Sequence, residues 1–290
     1  MAALLAWYEA MGVTDAVDES PIDWRARPDA PPPRASAWLA DLSTGGDADA
    51  PARAPAAPVP QPPARPPAAA ERPAQPAPAP AATGAVDQNA LETARTLAEA
   101  APDLTALEAA LAAFDGCPLK RTAKSLCFAR GAERADLMII GEGPGREEDL
   151  SGKPFVGRAG QLLDQMLASI GLDDSQVHIT NVIYWRPPGN RAPTELETLV
   201  CRPFLEKQIK LVAPKIILTL GGSAAKTLLE TKTGIMRTRG KWSTRPLGGE
   251  DRAVMPTLHP AYLLRTPAAK HLAWRDLLAV DARLRGDDAA

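Results

Sequence analysis

A proline- and alanine-rich stretch in the N-terminal half is the feature that most limits how this chain can fold. Twelve of its 30 prolines lie between Pro51 and Pro80. Such a stretch offers few aliphatic side chains to bury, so it cannot build a core and instead favours an extended, polyproline-type linker. We therefore predict disorder over residues 29–86, a short helical segment over residues 1–28, and one globular domain over residues 87–290.

The segment before the linker carries an amphipathic pattern from Leu4 to Met11, and Gly12 follows it as a stop signal. A short helix there can dock on the globular domain or on a separate protein partner, and the sequence leaves both open. No apolar run approaches the roughly 20 residues of a membrane span, and the N-terminus lacks the basic region of a signal peptide. We expect a cytoplasmic monomer that does not bind membranes.

The charge is distributed unevenly along the chain. Residues 1–114 carry 7 Lys/Arg against 15 Asp/Glu, whereas residues 115–290 carry 26 against 20. The near-neutral total of −2 therefore hides a basic C-terminal domain. An excess of positive charge on a folded domain suits a polyanionic partner such as nucleic acid, although many solvated surfaces show a similar excess.

Four short apolar runs predict the strands of a parallel sheet. They cover residues 137–140, 177–182, 216–220 and 253–257. Between them, residues 159–170 and 195–212 place apolar side chains on one face of a helix. Strands that alternate with helices predict an open α/β domain. Because ligands bind beyond the carboxyl ends of such strands, the residues that follow each strand are candidates for the site.

A glycine-rich turn, Gly141 to Gly145, follows the first predicted strand, and its free N–H groups can hold an anion or a carbonyl oxygen. A dinucleotide site is the first alternative. Its G-x-G-x-x-G spacing is not present here, Pro144 removes one donor, and four acidic residues crowd the place of a pyrophosphate. We therefore disfavour a dinucleotide.

Polar residues also follow the second and fourth predicted strands. Asn181 ends the second strand, and a rigid basic loop suited to phosphates follows at residues 186–191. The fourth strand is followed by residues 259–265, where a histidine that can act as an acid or electrophile precedes two leucines and an arginine.

Together these segments resemble the uracil-DNA glycosylase superfamily, and most of all its family four. The resemblance is carried by GEGPG at 141–145, KPFVGRAG at 153–160, the strand that ends at Asn181, RPPGNR at 186–191 and HPAYLLR at 259–265. It covers about residues 116–284, in the family's order and spacing. It implies a three-layer α/β/α fold with a central four-stranded parallel sheet. The implied activity is hydrolysis of the N-glycosidic bond of uracil in single- or double-stranded DNA, the first step of base excision repair, without a cofactor.

The resemblance also implies three catalytic roles. Glu142 supports the attack of water and the developing sugar cation, and Gly143 donates its N–H nearby. His259 hydrogen-bonds the uracil O2 and stabilises the departing anion, a role for which a neutral imidazole is sufficient. Each residue also has a structural explanation, because Glu142 can cap the following helix and a His-Pro pair is common in turns.

Four further residues are expected to bind the base. Gly141 approaches the uracil, Phe155 stacks on it, and Asn181 reads its N3–H and O4, an edge that cytosine presents in reverse. The segment that contains Glu147 and Glu148, after the glycine turn, forms the wall that excludes the methyl group of thymine. As alternatives, Asn181 can merely close a strand end and Phe155 can be ordinary core.

Contacts to DNA complete the implied site. The base must be flipped out of the duplex, and an apolar wedge usually takes its place in the stack. Leu263 and Leu264 are expected to form the wedge, unless they are buried under the loop. Arg158, Arg186 and Arg265 are expected to hold phosphates.

Cysteines mark a departure from the family, whose members bind a four-iron cluster through four thiolates. Cys117 and Cys201 match the second and fourth ligands, but Phe114 and Trp185 occupy the first and third positions. We therefore predict that this chain has no iron–sulfur cluster or other metal, and that the two aromatic rings fill the vacated volume. Cys127 has no counterpart in the pattern, and disulfides are not expected in a cytoplasmic protein.

Two other functions stay open. One is a variant that traps uracil-DNA covalently through a histidine in the loop after His259, although the nearest histidine, His271, falls in the next predicted helix. The other is a non-catalytic DNA-binding repair scaffold that uses the proline-rich segment as an interaction arm. The presence of Glu142, Asn181 and His259 argues against a scaffold.

Overall fold

The computed structural model describes residues 88–286. The predicted N-terminal helix and the predicted linker both lie outside these residues. In the part of the chain that is described, no helix is both long and apolar enough to cross a membrane.

The described residues form an α/β domain with short loops. Its strands are β1 (Arg130–Gly131), β2 (Leu137–Gly141), β3 (Val177–Asn181), β4 (Ile216–Leu220), β5 (Ser243–Leu247) and β6 (Glu250–Thr257). Its α-helices are α1 (Gln88–Ala100), α2 (Leu104–Ala113), α3 (Arg146–Ser151), α4 (Arg158–Ala168), α5 (Glu195–Val212), α6 (Gly221–Leu229), α7 (Ile235–Thr238), α8 (Pro260–Arg265) and α9 (Lys270–Arg285). Short 3-10 turns cover Pro118–Arg121, Pro188–Asn190 and Pro267–Ala269.

The sheet has the strand order β1-β3-β2-β4-β6-β5. Its four central strands are parallel, which confirms the predicted sheet. Two antiparallel edge strands, β1 and β5, were not predicted. β1 has only two residues, and β5 alternates partly buried and exposed positions, so neither contains the continuous apolar run of a strand covered on both faces.

Helices cover both faces of the sheet and give the three layers that were expected. Along β2, Leu137 and Ile139 join one core cluster, which contains the apolar faces of α4 and α9. Met138 and Ile140 join a second cluster, which contains those of α5 and α6. Since successive side chains of a strand point to opposite faces, one short apolar run serves both cores.

A third core cluster lies away from the sheet, where α1 and α2 pack on α5. Phe114, directly after α2, packs against Phe204 of α5 with ring centroids 5.3 Å apart. This cluster attaches the N-terminal helices of the described domain to the loop that follows β3, and that loop borders the candidate site.

Candidate active site

A cleft of about 450 Å³ opens beyond the carboxyl ends of the parallel strands. The cleft is lined by residues from every segment that the sequence analysis identified: Glu142, Glu148, Phe155, Asn181, His259 and Arg265. Arg191, which was assigned no role, also lines it. Parallel strands bring their carboxyl ends to one edge of the sheet, so residues more than 100 positions apart meet there.

Glycines make room for Phe155, which has a positive φ of 56° and is almost completely buried. A Cβ on Gly160 would lie 1.7 Å from the Phe155 carbonyl oxygen, and a Cβ on Gly141 would lie 2.4 Å from its ring. The same Cβ on Gly141 would lie 2.4 Å from Oδ1 of Asn181. Only glycine therefore allows the ring and the amide to approach the end of β2 so closely.

Asn181 is the last residue of β3 and pairs in register with Gly141 at the end of β2. Its side chain is 1% exposed, yet Oδ1 has no hydrogen-bond partner within the described domain. A buried polar atom without a partner costs about 1–3 kcal/mol. Because Asn181 also lines the cleft, its amide oxygen is an acceptor available to a ligand.

His259 is held in one tautomer. It caps the N-terminus of α8, where its Nδ1 accepts a hydrogen bond of 3.1 Å from the N–H of Ala261. Burial, with a smaller contribution from the charge of Arg265, lowers the pKa of His259 to about 4. The imidazole is therefore neutral near pH 7, and its proton lies on Nε2, which leaves that nitrogen as a donor.

Glu142 is the first residue after β2 and is half-buried in the cleft. Burial raises the pKa of this carboxyl group, and a hydrogen bond from the Ser223 hydroxyl opposes the rise. Ser223 lies in the first turn of α6, directly after β4, the strand that pairs with β2. Sequence reasoning missed Ser223, although its place just after a parallel strand was the available signal.

Glu148 lines the cleft, and its carboxylate is hydrogen-bonded to the backbone. Oε1 accepts hydrogen bonds from the N–H groups of Val156 and Gly157, and Oε2 accepts one from Gly145. The sequence did not reveal these bonds, because they depend on how the two loops fold together.

The arginines of the site differ in their availability. Arg158 and Arg265 are exposed, and Arg265 lines the cleft. The guanidinium of Arg186 is only partly exposed, because its Nε donates to Oδ1 of Asn190 at 2.7 Å and its Nη1 lies 3.9 Å from Asp149.

Arg191, at the end of the same basic loop, was given no role and yet lines the cleft. The buried carboxylate of Glu197 holds its guanidinium with two hydrogen bonds, of 2.6 and 2.8 Å. Glu197 also completes the capping box at the start of α5. The capping motif could have identified Glu197, but nothing local indicates its second partner.

The structure corrects one expectation about the wedge. Leu263 has no exposed surface and belongs to the core cluster that contains α4 and α9. Its neighbour Leu264 is 37% exposed. Successive residues of a helix point in directions about 100° apart, so α8 buries one leucine and presents the other. Of these two leucines, only Leu264 is available at the surface.

The residues at the expected cluster positions do not fit a four-iron cluster. Phe114, Cys117, Trp185 and Cys201 are all buried in the third core cluster, so they do come together in space. Two of the four are aromatic rings, which cannot coordinate iron. Within residues 88–286, no group of three or more His, Cys, Asp or Glu side chains is arranged to hold a metal ion.

Cys127 has a structural role, because it links two segments of the domain through a hydrogen bond. Its buried thiol donates a hydrogen bond of 3.1 Å to the backbone carbonyl of Glu148, and burial raises its pKa to about 12. A thiol that stays protonated at neutral pH is a poor nucleophile and a poor metal ligand.

Comparison with known proteins adds independent evidence. A family model described as the uracil DNA glycosylase superfamily matches residues 128–278. A type-4 uracil-DNA glycosylase of Sulfurisphaera tokodaii is 42% identical over 151 residues, which are 50% of this chain and 69% of the relative. One from Pyrobaculum aerophilum is 38% identical over 181 residues, 60% of this chain and 91% of the relative. A type-5 enzyme of Mycobacterium leprae is 34% identical over 116 residues, 34% of this chain and 50% of the relative.

Proposed function

Because this chain belongs to the uracil-DNA glycosylase superfamily, we propose that it hydrolyses the N-glycosidic bond of uracil in DNA and leaves an abasic site. The observation that carries the proposal is a pair of complementary groups in one cleft. Asn181 offers a buried acceptor without a partner, and His259 offers a neutral imidazole with Nε2 as the donor. Uracil presents an N3–H donor between its two carbonyl acceptors, which is the pattern that this pair requires.

Base recognition follows from the cleft walls. The Asn181 amide accepts from N3–H and donates to O4, whereas cytosine presents an acceptor at N3 and a donor at N4, so that both of these bonds would be mismatched. The ring of Phe155 stacks on the base, and Gly141 allows close approach. Glu148 forms the wall beside C5, where a thymine methyl group would be excluded.

Bond cleavage develops positive charge on the sugar and negative charge on the base. His259 donates from Nε2 to the uracil O2 and stabilises the anion without transferring a proton. Glu142 stabilises the sugar cation and accepts a proton from the attacking water, and Gly143 donates its N–H nearby. The C1′–N1 bond breaks with its electron pair on uracil, and a C1′–O bond to water forms.

Access to the base requires flipping, at a cost of a few kcal/mol. Leu264, exposed beside the cleft, fills the space in the stack. Arg158, Arg186 and Arg265 bind neighbouring phosphates. We assign all of this to one catalytic domain over residues 87–290, which acts as a monomer.

The test is the release of free uracil from a labelled oligonucleotide that contains one uracil, with the matching thymine oligonucleotide as the control. Release of uracil from the first oligonucleotide alone is the expected result. A covalent trap would give a protein–DNA adduct instead, and a scaffold would give neither product. The trap is disfavoured because its nearest histidine, His271, lies in α9 outside the cleft and contacts the Ala268 carbonyl at 2.6 Å.

A further inference from the structure

The carboxylate of Glu148 joins the two loops that build the cleft. Its Oε2 accepts from the Gly145 N–H at 3.1 Å, at the end of the turn that carries the proposed catalytic residues. Its Oε1 accepts from Val156 and Gly157 at 3.0 and 2.9 Å, directly after Phe155. The 3 bonds therefore connect the catalytic turn to the loop that presents the stacking ring.

The carboxylate also has little freedom to move. A Cβ on Gly145 would lie 2.8 Å from Oε2, and a Cβ on Gly157 would lie 3.2 Å from Oε1 and 2.1 Å from Oε2 of Glu147, so the space around the two carboxylates is filled. The backbone carbonyl of Glu148 accepts from the Cys127 thiol and from the Gly152 N–H, which fixes the base of the side chain. The link is therefore held by hydrogen bonds at both ends.

We propose that Glu148 is a positioning residue, which sets the distance between the catalytic turn and Phe155 by accepting these 3 amide hydrogen bonds. The inference deepens the proposed function and rests on it. Phe155 adopts a positive φ, a conformation that is costly for a non-glycine residue and needs support from its surroundings. The two amides that follow it supply that support through Glu148.

Glutamine is the informative substitution because it keeps the size of the side chain and changes only its hydrogen bonding. One end of a carboxamide is an NH₂ group, which donates and cannot accept. Whichever way it is oriented, Glu148→Gln directs a donor at the amide of at least one loop. Glu133→Gln is a matched control, because Glu133 is exposed, does not line the cleft and loses the same charge.

The experiment compares the full-length chain with Glu133→Gln and Glu148→Gln in three measurements. These are the single-turnover rate of uracil release, the inhibition constant of free uracil, and the affinity for undamaged DNA. A misplacement of about 1 Å can cost about 100-fold in rate. We expect Glu148→Gln to cleave about 10- to 100-fold more slowly and to bind uracil more weakly. Its affinity for DNA should match that of the control, and its melting temperature should be lower, because at least one loop amide loses its acceptor.

Amide hydrogen exchange provides a readout that does not depend on activity. In Glu148→Gln, the amides of Gly145, Val156 or Gly157 should exchange faster than in the control. Equal exchange and equal cleavage in the two variants would overturn the proposal while leaving the glycosylase activity intact. If the unmodified chain releases no uracil, the proposed function fails, and exchange alone then decides whether Glu148 holds the loops.

A second variant covers the case in which glutamine prevents folding. Glu148→Asp keeps the charge but is one methylene shorter, so it can reach only one of the two loops. The proposal predicts faster exchange in the loop that is released, together with slower cleavage. Protection of all three amides at the level of the unmodified chain would contradict it.

Discussion

The rings of Phe155 and His259 lie stacked, with centroids 5.8 Å apart and an interplanar angle of 30°. One ring comes from the loop after the catalytic turn and the other from the start of α8. Their contact places the proposed stacking face beside the proposed donor to the leaving base. It also contributes to the burial that keeps the imidazole neutral.

His259→Ala should lose about 2–4 kcal/mol of transition-state stabilisation, the usual effect of removing a donor to a developing anion. The measurement is the single-turnover rate of uracil release, with His271→Ala as the control because that histidine lies outside the cleft. Because the pKa of His259 is lowered to about 4, the rate should not change through protonation of this residue between pH 6 and pH 8. Equal rates for the two variants would refute the assignment.

Glu142 must be ionised to stabilise the sugar cation, so activity should fall as the pH falls through its pKa. The Ser223 hydroxyl stabilises the charged form and lowers that pKa. Ser223→Ala should therefore shift the acidic limb of the rate profile to higher pH, and Ser223→Thr should restore it. Glu142→Gln should slow cleavage at every pH above the pKa of Glu142, where the unmodified chain carries the charged carboxylate. If the acidic limb of Ser223→Ala is not shifted, Ser223 does not influence the pKa of Glu142.

Gly160→Ala should displace Phe155, since the new Cβ would lie 1.7 Å from the phenylalanine carbonyl oxygen. Backbone cannot give way as a side chain can, so we expect weaker binding of uracil together with a lower melting temperature. Gly234→Ala is the control, because nothing lies within 4 Å of its Cβ position. If both variants bind uracil like the unmodified chain, the described packing of this loop is wrong.

Deletion of residues 1–86 should leave the chemistry intact, because every proposed catalytic residue lies after the linker. The removed part carries 6 Lys/Arg against 10 Asp/Glu, so its loss should not weaken binding to DNA and can strengthen it at low salt. Cleavage by the truncated chain at 50 and 200 mM salt checks this. A well-folded truncated chain without activity would show that the N-terminal segment completes the site.

The last prediction concerns the expected cluster positions. Protein purified anaerobically should contain no stoichiometric iron and should show no visible absorption near 400 nm, because Phe114 and Trp185 cannot coordinate metal. Trp185→Ala should destabilise the domain by about 3–5 kcal/mol, as is usual for a buried large ring. Trp242→Ala, at a partly exposed position, should cost less. Stoichiometric iron in the unmodified protein would contradict the prediction.

Local patterns in the sequence were sufficient for the parallel sheet and for part of the site. Buried parallel strands need continuous apolar runs, so residues 137–140 and 216–220 could be assigned from sequence alone. Helix α5 was predicted with its observed bounds, since its apolar stripe is a local signal. The positions after the strands then indicated Glu142, Asn181 and His259.

Only the tertiary structure decided which neighbours serve the site. Leu263 and Leu264 are chemically identical, and the packing of α8 against α4 determines that the first is buried and the second is exposed. Whether the Asn181 oxygen would find a partner, and which groups the carboxylate of Glu148 would meet, depended on loops distant in sequence. Hydrogen bonding and burial at these positions are set by contacts across the fold, and no local pattern encodes them.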